Sequence, residues 1–160
     1  MTGMADLEDG PMHVVTAAAG GRLAGCLVGF AAQCSIEPER HMVWLSKANL
    51  TYRVASRAAY LGVHLLGPGQ RPLAELFGGR TGDDTDKFAQ ARWSAGPEGV
   101  PLLAGVPAWY VGRIEGRTDG GDHVGHLLTP VASAVERGTR RGSVLTLADC
   151  LDITPGHPAG

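Results

Sequence analysis

Several features that often identify a protein class are scarce or missing in this sequence. The 160 residues include three cysteines, Cys26, Cys34 and Cys150, and no CxxC pair. A sparse, odd count argues against the disulfide framework of a small secreted domain and favours a reducing, cytoplasmic setting. No apolar run approaches the about 18 residues of a membrane helix, and residues 1–12 lack the basic and apolar regions of a signal peptide. We therefore expect a cytoplasmic protein with no membrane segment.

Charge of either sign is also sparse and evenly spread. Fourteen basic residues stand against 16 acidic ones, and neither sign forms a long run. Because binding to a phosphate backbone requires a basic stripe, we expect no nucleic-acid partner.

Common catalytic and nucleotide-binding motifs are missing as well. The GxG at residues 67–69 is followed by Pro72 where a third glycine is needed, and neither lysine lies in a P-loop. No serine has GxSxG around it, and the histidines lack zinc-site spacing. The sequence therefore predicts no Rossmann site, no Walker site and no metal.

The length fits one domain, since a chain of about 150 residues buries roughly 68–70% of its unfolded surface. We assign residues 12–153 to this domain. Residues 1–11 are interpreted as a flexible N-terminal segment and residues 154–160 as a C-terminal tail.

Short apolar runs between glycine-rich turns predict a mainly β fold. Helices are expected at residues 49–59 and 70–77, more weakly at 85–93, and residues 144–153 fit either a strand or a short helix. Strands with few helices favour an antiparallel barrel over alternating βαβ units. The predicted strands are residues 12–18, 23–30, 41–46, 60–66, 108–117 and 124–135, the last two joined by the turn 118–123.

Residues 24–51 form the most informative stretch, because two strand-like segments end there on small polar residues beside a helix start. Amides and hydroxyls at a helix N-terminus favour anions. The residues placed to meet a phosphate are Ser46, Lys47, Asn49 and Thr51. A capped helix without a ligand is the alternative, and residue types alone favour it. The arrangement makes a nucleotide-type cofactor the first hypothesis.

Five segments, taken in order, resemble the flavin reductase-like family with the FMN-binding split barrel. Together they span about residues 12 to 135, and the ordered set is far more specific than any single match. The segments are residues 14–17 (VVTA), 24–38 (AGCLVGFAAQCSIEP), 45–51 (LSKANLT), 86–88 (DKF) and 121–123 (GDH).

This resemblance implies a six-stranded antiparallel split β-barrel with Greek-key topology, a few short helices, and a homodimer with flavin at or near its interface. The phosphate would be met by the four residues named above, with Lys87 or Arg53 as a further positive partner. His123 matches the family histidine on the nicotinamide side. The isoalloxazine ring would rest on the backbone of Leu27, Val28, Gly29, Phe30, Gln33, Cys34 and Ser35.

The implied function is that of an NAD(P)H-dependent flavin reductase, which passes hydride from nicotinamide to FMN or FAD and supplies reduced flavin to a monooxygenase. No catalytic side chain is expected, because the cofactor performs the redox chemistry. Two alternatives stay open. Leu27, Gly29 and Phe30 stand where family members often carry hydroxyl side chains, which favours a non-enzymatic flavin-binding protein. The other is a split-barrel oxidoreductase that uses the deazaflavin F420.

Overall fold

The computed structural model describes residues 3–83 and 85–156. Parts of the predicted N-terminal segment and tail, residues 1–2 and 157–160, lie outside the described residues. The helices are α1 (Leu50–Ala55) and α2 (Arg71–Gly78). The strands are β1 (His13–Ala19), β2 (Arg22–Val28), β3 (Ala31–Ser35), β4 (Arg40–Ser46), β5 (Tyr60–Leu65), β6 (Trp93–Ala95), β7 (Pro101–Leu103), β8 (Ala108–Asp119) and β9 (His123–Val135).

The main sheet has the order β2-β1-β5-β8-β9-β4-β3, and its strands pair in antiparallel fashion. This confirms the predicted mainly β, antiparallel fold. The sheet has seven strands where six were expected, because residues 31–35 form a strand of their own that pairs with β4. The short strands β6 and β7 form a separate pair. In the main sheet, β2 and β3 lie at opposite edges of the strand order.

The hairpin of β8 and β9 is the longest element and confirms the predicted one. Its strands close at the pair Asp119 and Val124. The tight turn between them uses Gly121 at φ +126°, a backbone conformation that other residues rarely adopt. The first residue of β9, His123, is therefore held at the closed end of the hairpin.

Two apolar clusters flank the sheet. One packs α1 against the barrel strands and includes Val15, Leu45 and Leu61. The other packs α2 against β1 and the C-terminal residues, and includes Phe77 and Leu145. The chain after β9 is thus part of the folded core.

The helices are short. The prediction for α2 is confirmed, with Pro72 in its first turn. Helix α1, predicted to run to residue 59, ends at Ala55, where the Ser56 hydroxyl donates to the Arg53 carbonyl and the chain turns toward β5. Within the described ranges, no helix has both the length and the apolar character needed to cross a membrane.

The helix predicted at residues 85–93 is wrong. The chain makes a single 3-10 turn, Lys87–Ala89, in which the Asp86 side chain accepts from the Ala89 amide, and then continues into β6. Residues 144–153 contain two features: Thr146 forms an isolated β-bridge with Pro11, and Ala148–Cys150 form a 3-10 turn.

Candidate functional site

A cavity of about 320 Å³ opens where β2, β4 and β9 approach the end of α2. Its volume lies at the lower end of the range for small-molecule sites, which is about 300–1,000 Å³. Most of its wall is apolar, with a few polar groups. The lining residues are Met12, Cys26, Leu27, Val28, Gly29, Phe30, Trp44, Ser46, Asn49, Phe77, Gly78, Arg80, His123, Leu147, Cys150, Leu151, Ile153 and Pro155.

Seven of the residues selected from the sequence meet at this cavity, although 96 positions separate the first from the last. The sheet register explains part of this, since Ser46 at the end of β4 is the direct cross-strand partner of His123 at the start of β9. The seven residues are Leu27, Val28, Gly29, Phe30, Ser46, Asn49 and His123.

The segment expected to carry the flavin ring runs along an edge of the main sheet. Strand β2 pairs with β1, with Val28 opposite His13, and no strand of the described chain pairs with its other side. An edge strand presents backbone N–H and C=O groups that a ligand can bind. Beyond the strand, the Phe30 carbonyl accepts a hydrogen bond from the Trp44 amide at 2.9 Å, which fixes the chain at the mouth of the cavity.

The polar end of the cavity lies between β4 and α1. Ser46 is buried, and its hydroxyl oxygen accepts from the Ala48 amide at 3.3 Å. Asn49 also lines the cavity, and within the described residues its side chain makes no capping hydrogen bond to α1. Arg80, just beyond α2, also lines the cavity. Hydroxyl and amide groups with a cationic residue in the same lining suit a phosphate.

His123 lies beside Ser46, on the neighbouring strand β9. Its Nδ1 donates to the Asp122 carboxylate at 2.7 Å, and this bond holds the pKa of Asp122 below its usual value. The imidazole centroid lies 5.2 Å from the Phe30 ring. A second groove of about 290 Å³ adjoins this point and shares Phe30, Trp44 and His123 with the first cavity. These three rings therefore separate two neighbouring spaces.

The indole of Trp44 is held in place by two glycines. A methyl group on Gly120 would lie 2.6 Å from Trp44 Cζ3, and one on Gly125 would lie 2.9 Å from the same atom. A side chain at either position would displace the indole from the wall shared by the two spaces.

Three residues predicted to support the ring lie elsewhere. Gln33, Cys34 and Ser35 belong to β3, at the other edge of the strand order, and Gln33 donates to the Ser35 carbonyl at 3.0 Å. They do not line the cavity.

Two of the predicted phosphate ligands also have other partners. Lys47 is half-exposed and its ammonium donates to both carboxylate oxygens of Asp119, at 2.9 and 3.1 Å. Thr51 is buried within α1, where its hydroxyl contacts the Cys26 thiol. Arg53, the alternative cation, pairs with Asp83 at 2.6 Å.

Lys87 is 3% exposed and joins two elements of the wall. Its ammonium donates to the Gly25 carbonyl on β2 at 2.9 Å and to the Phe77 carbonyl in α2 at 3.0 Å. Burial lowers the pKa of Lys87, with the nearby Cys26 acting in the opposite direction. Lys87 contributes to the lining of a separate cavity of about 620 Å³ along the first half of β2.

The two cysteines that line the cavity are not activated as nucleophiles. Cys26 and Cys150 are buried free thiols, and burial raises the pKa of each. A thiol with a raised pKa is a poor nucleophile.

Sequence reasoning missed Arg80 and the C-terminal part of the wall. Arg80 follows a helix and carries no motif, so only its position in the fold reveals it. Leu147, Leu151 and Ile153 were assigned to a last element without a role in a site, and their apolar character is equally typical of a core. Trp44 was considered for ring stacking, but no local pattern distinguished it from the other two tryptophans.

Comparison with known proteins adds sequence and fold relatives. Residues 7–147 of this chain match the family of flavin reductase like domains. The FMN reductase (NADH) RutF of Methylorubrum extorquens is 32% identical over 112 residues, which cover 70% of this chain and 54% of that protein. HsaB of Rhodococcus jostii, the reductase subunit of a flavin-dependent monooxygenase, is 34% identical over 103 residues, covering 62% of this chain and 51% of HsaB.

Among solved structures, the FMN-binding protein from Thermus thermophilus with bound p-hydroxybenzaldehyde superposes with a TM-score of 0.83. It is 25% identical and covers 91% of this chain, which in turn covers 85% of that structure. The chain spans about half the length of the curated relatives it matches.

Proposed function

This chain belongs to the family of flavin reductase-like domains, and from that premise we propose that it is an NAD(P)H-dependent flavin reductase that transfers hydride to FMN. One observation carries the proposal. A single cavity combines an edge-strand backbone, a polar end with Ser46 and Asn49, and a histidine next to a second open groove.

The residues of the cavity fit a flavin mononucleotide. The outer edge of β2 and the residues after it, Gly29 and Phe30, would lie along the ring through backbone groups, which does not require the missing hydroxyl side chains. The phosphate would lie toward Ser46, Asn49 and Arg80. FAD, with the same ring, is the second flavin to test.

Bound flavin would supply the redox chemistry by accepting hydride from the nicotinamide ring. The protein's part is to hold two flat rings close and exclude water between them. Backbone N–H groups at the edge of β2 are fixed by pairing with β1, so they would stabilise negative charge on the ring without reorganising. No side chain has to act as nucleophile or acid.

The second groove suits the nicotinamide. Phe30, Trp44 and His123 form its boundary with the cavity, so a ring placed there lies beside a ring placed in the cavity. The bond from His123 Nδ1 to Asp122 fixes the imidazole orientation, so the ring can form a wall of the groove.

The first experiment is an absorbance titration of the purified protein with FMN and FAD, followed by anaerobic addition of NADH or NADPH. Flavin bands that bleach with one donor support the reductase and identify that donor. Bound flavin that stays oxidised with both, but is reduced by F420H₂, would replace the proposal with an F420-linked enzyme. Bound flavin that no donor reduces would indicate a flavin carrier.

We propose further that the protein works as a cytoplasmic homodimer that delivers reduced flavin to a monooxygenase. Exposed apolar side chains support self-association, and Phe30 at the cavity mouth, Ile36 and Val135 are 56%, 86% and 68% exposed. Light scattering coupled to size-exclusion chromatography tests the dimer. Relatives named as monooxygenase components support the partner, which coupled oxygenase assays would test.

A further inference from the structure

One wall of the cavity comes from the C-terminal strap, which we define as residues 147–156. Leu147, Cys150, Leu151, Ile153 and Pro155 all belong to it, and four of these five lie beyond residue 147, where the family match ends. This wall is therefore a feature of this chain in addition to the matched domain.

The strap touches the segment that is expected to carry the ring. A methyl group on Gly29 would lie 3.2 Å from Leu147 Cδ1. The strap then crosses to the far side of the cavity, where a methyl group on Gly156 would lie 2.6 Å from the Arg80 carbonyl carbon. The strap thus runs from Gly29, at the proposed ring site, to Arg80, at the proposed phosphate site.

The strap is held in this position by the packing of Leu147, Cys150 and Ile153 against the α2 cluster and by a small set of exposed hydrogen bonds. On one side, the Leu147 amide donates to the Gly10 carbonyl at 2.8 Å, and the Ala148 amide donates to the Asp9 carboxylate at 2.9 Å.

On the other side, Arg71 of α2 provides two contacts. It donates to the Asp149 carbonyl at 2.8 Å and to the Asp152 carboxylate at 2.7 Å. The other walls consist of paired strands and a packed helix. Segments without strand pairing whose hydrogen bonds are exposed open at lower free energy than paired core strands. The strap has apolar packing but lies outside every strand of the main sheet, so we expect it to be the wall that yields first.

We propose that the strap retains the flavin by contact and sets its dissociation rate, which makes flavin a slowly exchanging cofactor rather than a freely exchanged substrate. The proposal rests on the flavin reductase function proposed above. Opening of the strap removes the apolar wall of Leu147, Leu151 and Ile153 and exposes the cavity along its length. Differences in affinity between related complexes appear mostly in the dissociation rate.

Arg71 offers a matched pair of variants, because it also bonds Glu75 within α2 at 2.8 Å. Asp152→Asn weakens the contact to the strap and leaves the contact within the helix. Glu75→Gln does the reverse and serves as the control. FMN-loaded protein is mixed with excess apoflavodoxin as a trap, and release is followed by flavin fluorescence. An exposed ion pair contributes modestly, so we expect Asp152→Asn to release FMN roughly threefold faster with a matching rise in Kd. Glu75→Gln should match wild type.

The strap itself gives a second readout that needs no flavin. Hydrogen exchange at the amides of Leu147 and Ala148 should be faster in Asp152→Asn than in Glu75→Gln, while exchange within α2 stays the same.

Each outcome decides between the proposals. Wild type that binds no FMN would overturn both the function and the strap. Wild type that binds FMN, with unchanged release from Asp152→Asn, would overturn the strap alone. Equally faster association and release, with Kd unchanged, would make the strap a gate and overturn retention by contact. Equal acceleration in Glu75→Gln would assign the effect to α2.

Discussion

The two walls of the cavity differ in how they are held. The barrel wall, formed by β2, β4 and β9, is fixed by sheet pairing, such as Val28 with His13 and Ser46 with His123. The strap wall, residues 147–156, is held by exposed ties to Arg71 and the N-terminal segment and by the packing of Leu147, Cys150 and Ile153 on the α2 cluster. The barrel wall therefore fixes the geometry of the cavity, whereas the strap controls access to it. Sheet pairing is lost only when the protein unfolds, but exposed contacts can open locally.

Acid should destabilise the sheet that carries the barrel wall, and this is the largest expected effect. His13 at the start of β1 is partly buried and His64 in β5 is fully buried, and burial lowers the pKa of each to about 4. His64 is held neutral, because its Nδ1 donates to the Val14 carbonyl while Nε2 accepts from the Leu103 amide.

The folded-state pKa values of these histidines lie below the unfolded value, so the unfolded chain takes up protons first as pH falls. Stability is therefore complete above about pH 6.5 and is lost toward about pH 4, by on the order of 5 kcal/mol for the two residues. Urea unfolding across this range measures the loss. His64→Gln keeps both bond types without titrating and should roughly halve the pH slope; an unchanged slope would contradict the assignment to His64.

The next largest effect is expected at Lys87, where the barrel wall and α2 are joined. Lys87→Met would leave the buried carbonyls of Gly25 and Phe77 unsatisfied, at about 1–3 kcal/mol each, so we expect a loss of about 2–4 kcal/mol in unfolding free energy. Lys47→Met, at an exposed ion pair, is the control and should change stability little. Unchanged stability with weaker FMN binding would instead support the phosphate role predicted for Lys87.

A smaller effect is expected at the boundary between the cavity and the second groove. His123→Ala removes one ring from this boundary, so the KM for the nicotinamide donor should rise roughly tenfold, the upper end of a ring contact, with little change in FMN affinity. His41→Ala is a matched control, since His41 also pairs with a carboxylate, Glu39 at 2.8 Å, but lies away from the cavity. Steady-state kinetics of the two variants decide the point. Equal KM values for His123→Ala and wild type would remove His123 from the nicotinamide side.

The smallest effect concerns the strap in mild acid. Arg71 holds the pKa of Asp152 below its usual value, and the Ala148 amide does the same for Asp9. Both carboxylates gain their stabilising contacts above their unfolded pKa and lose them only as pH falls through the lowered folded pKa. Between about pH 7 and about pH 5, the ratio of FMN release rates for Asp152→Asn and wild type should therefore stay constant. A ratio that falls toward one in this range would show that wild type loses the tie at higher pH than the lowered pKa of Asp152 predicts.

The two walls also differ in how far the sequence predicted them. Ser46 and Asn49 were selected from small polar residues at a helix start, whereas Leu27 to Phe30 and His123 followed from the family resemblance; all of them line the cavity. The predicted roles of Gln33, Cys34, Lys47 and Lys87 remain predictions, and the Lys87→Met variant tests that of Lys87. Lys47 and Lys87 show why residue type is insufficient: one pairs with an exposed carboxylate and the other binds two buried carbonyls.

By itself, the sequence determined the antiparallel β character, the long hairpin and the order of the motifs, because periodicity and turn chemistry act over a few residues. The tertiary structure alone decided that Arg80 and the strap complete the cavity and that Arg71 ties the strap to α2. Those contacts join residues as far apart as Arg71 and Asp152, and no local pattern encodes a pairing over such a separation.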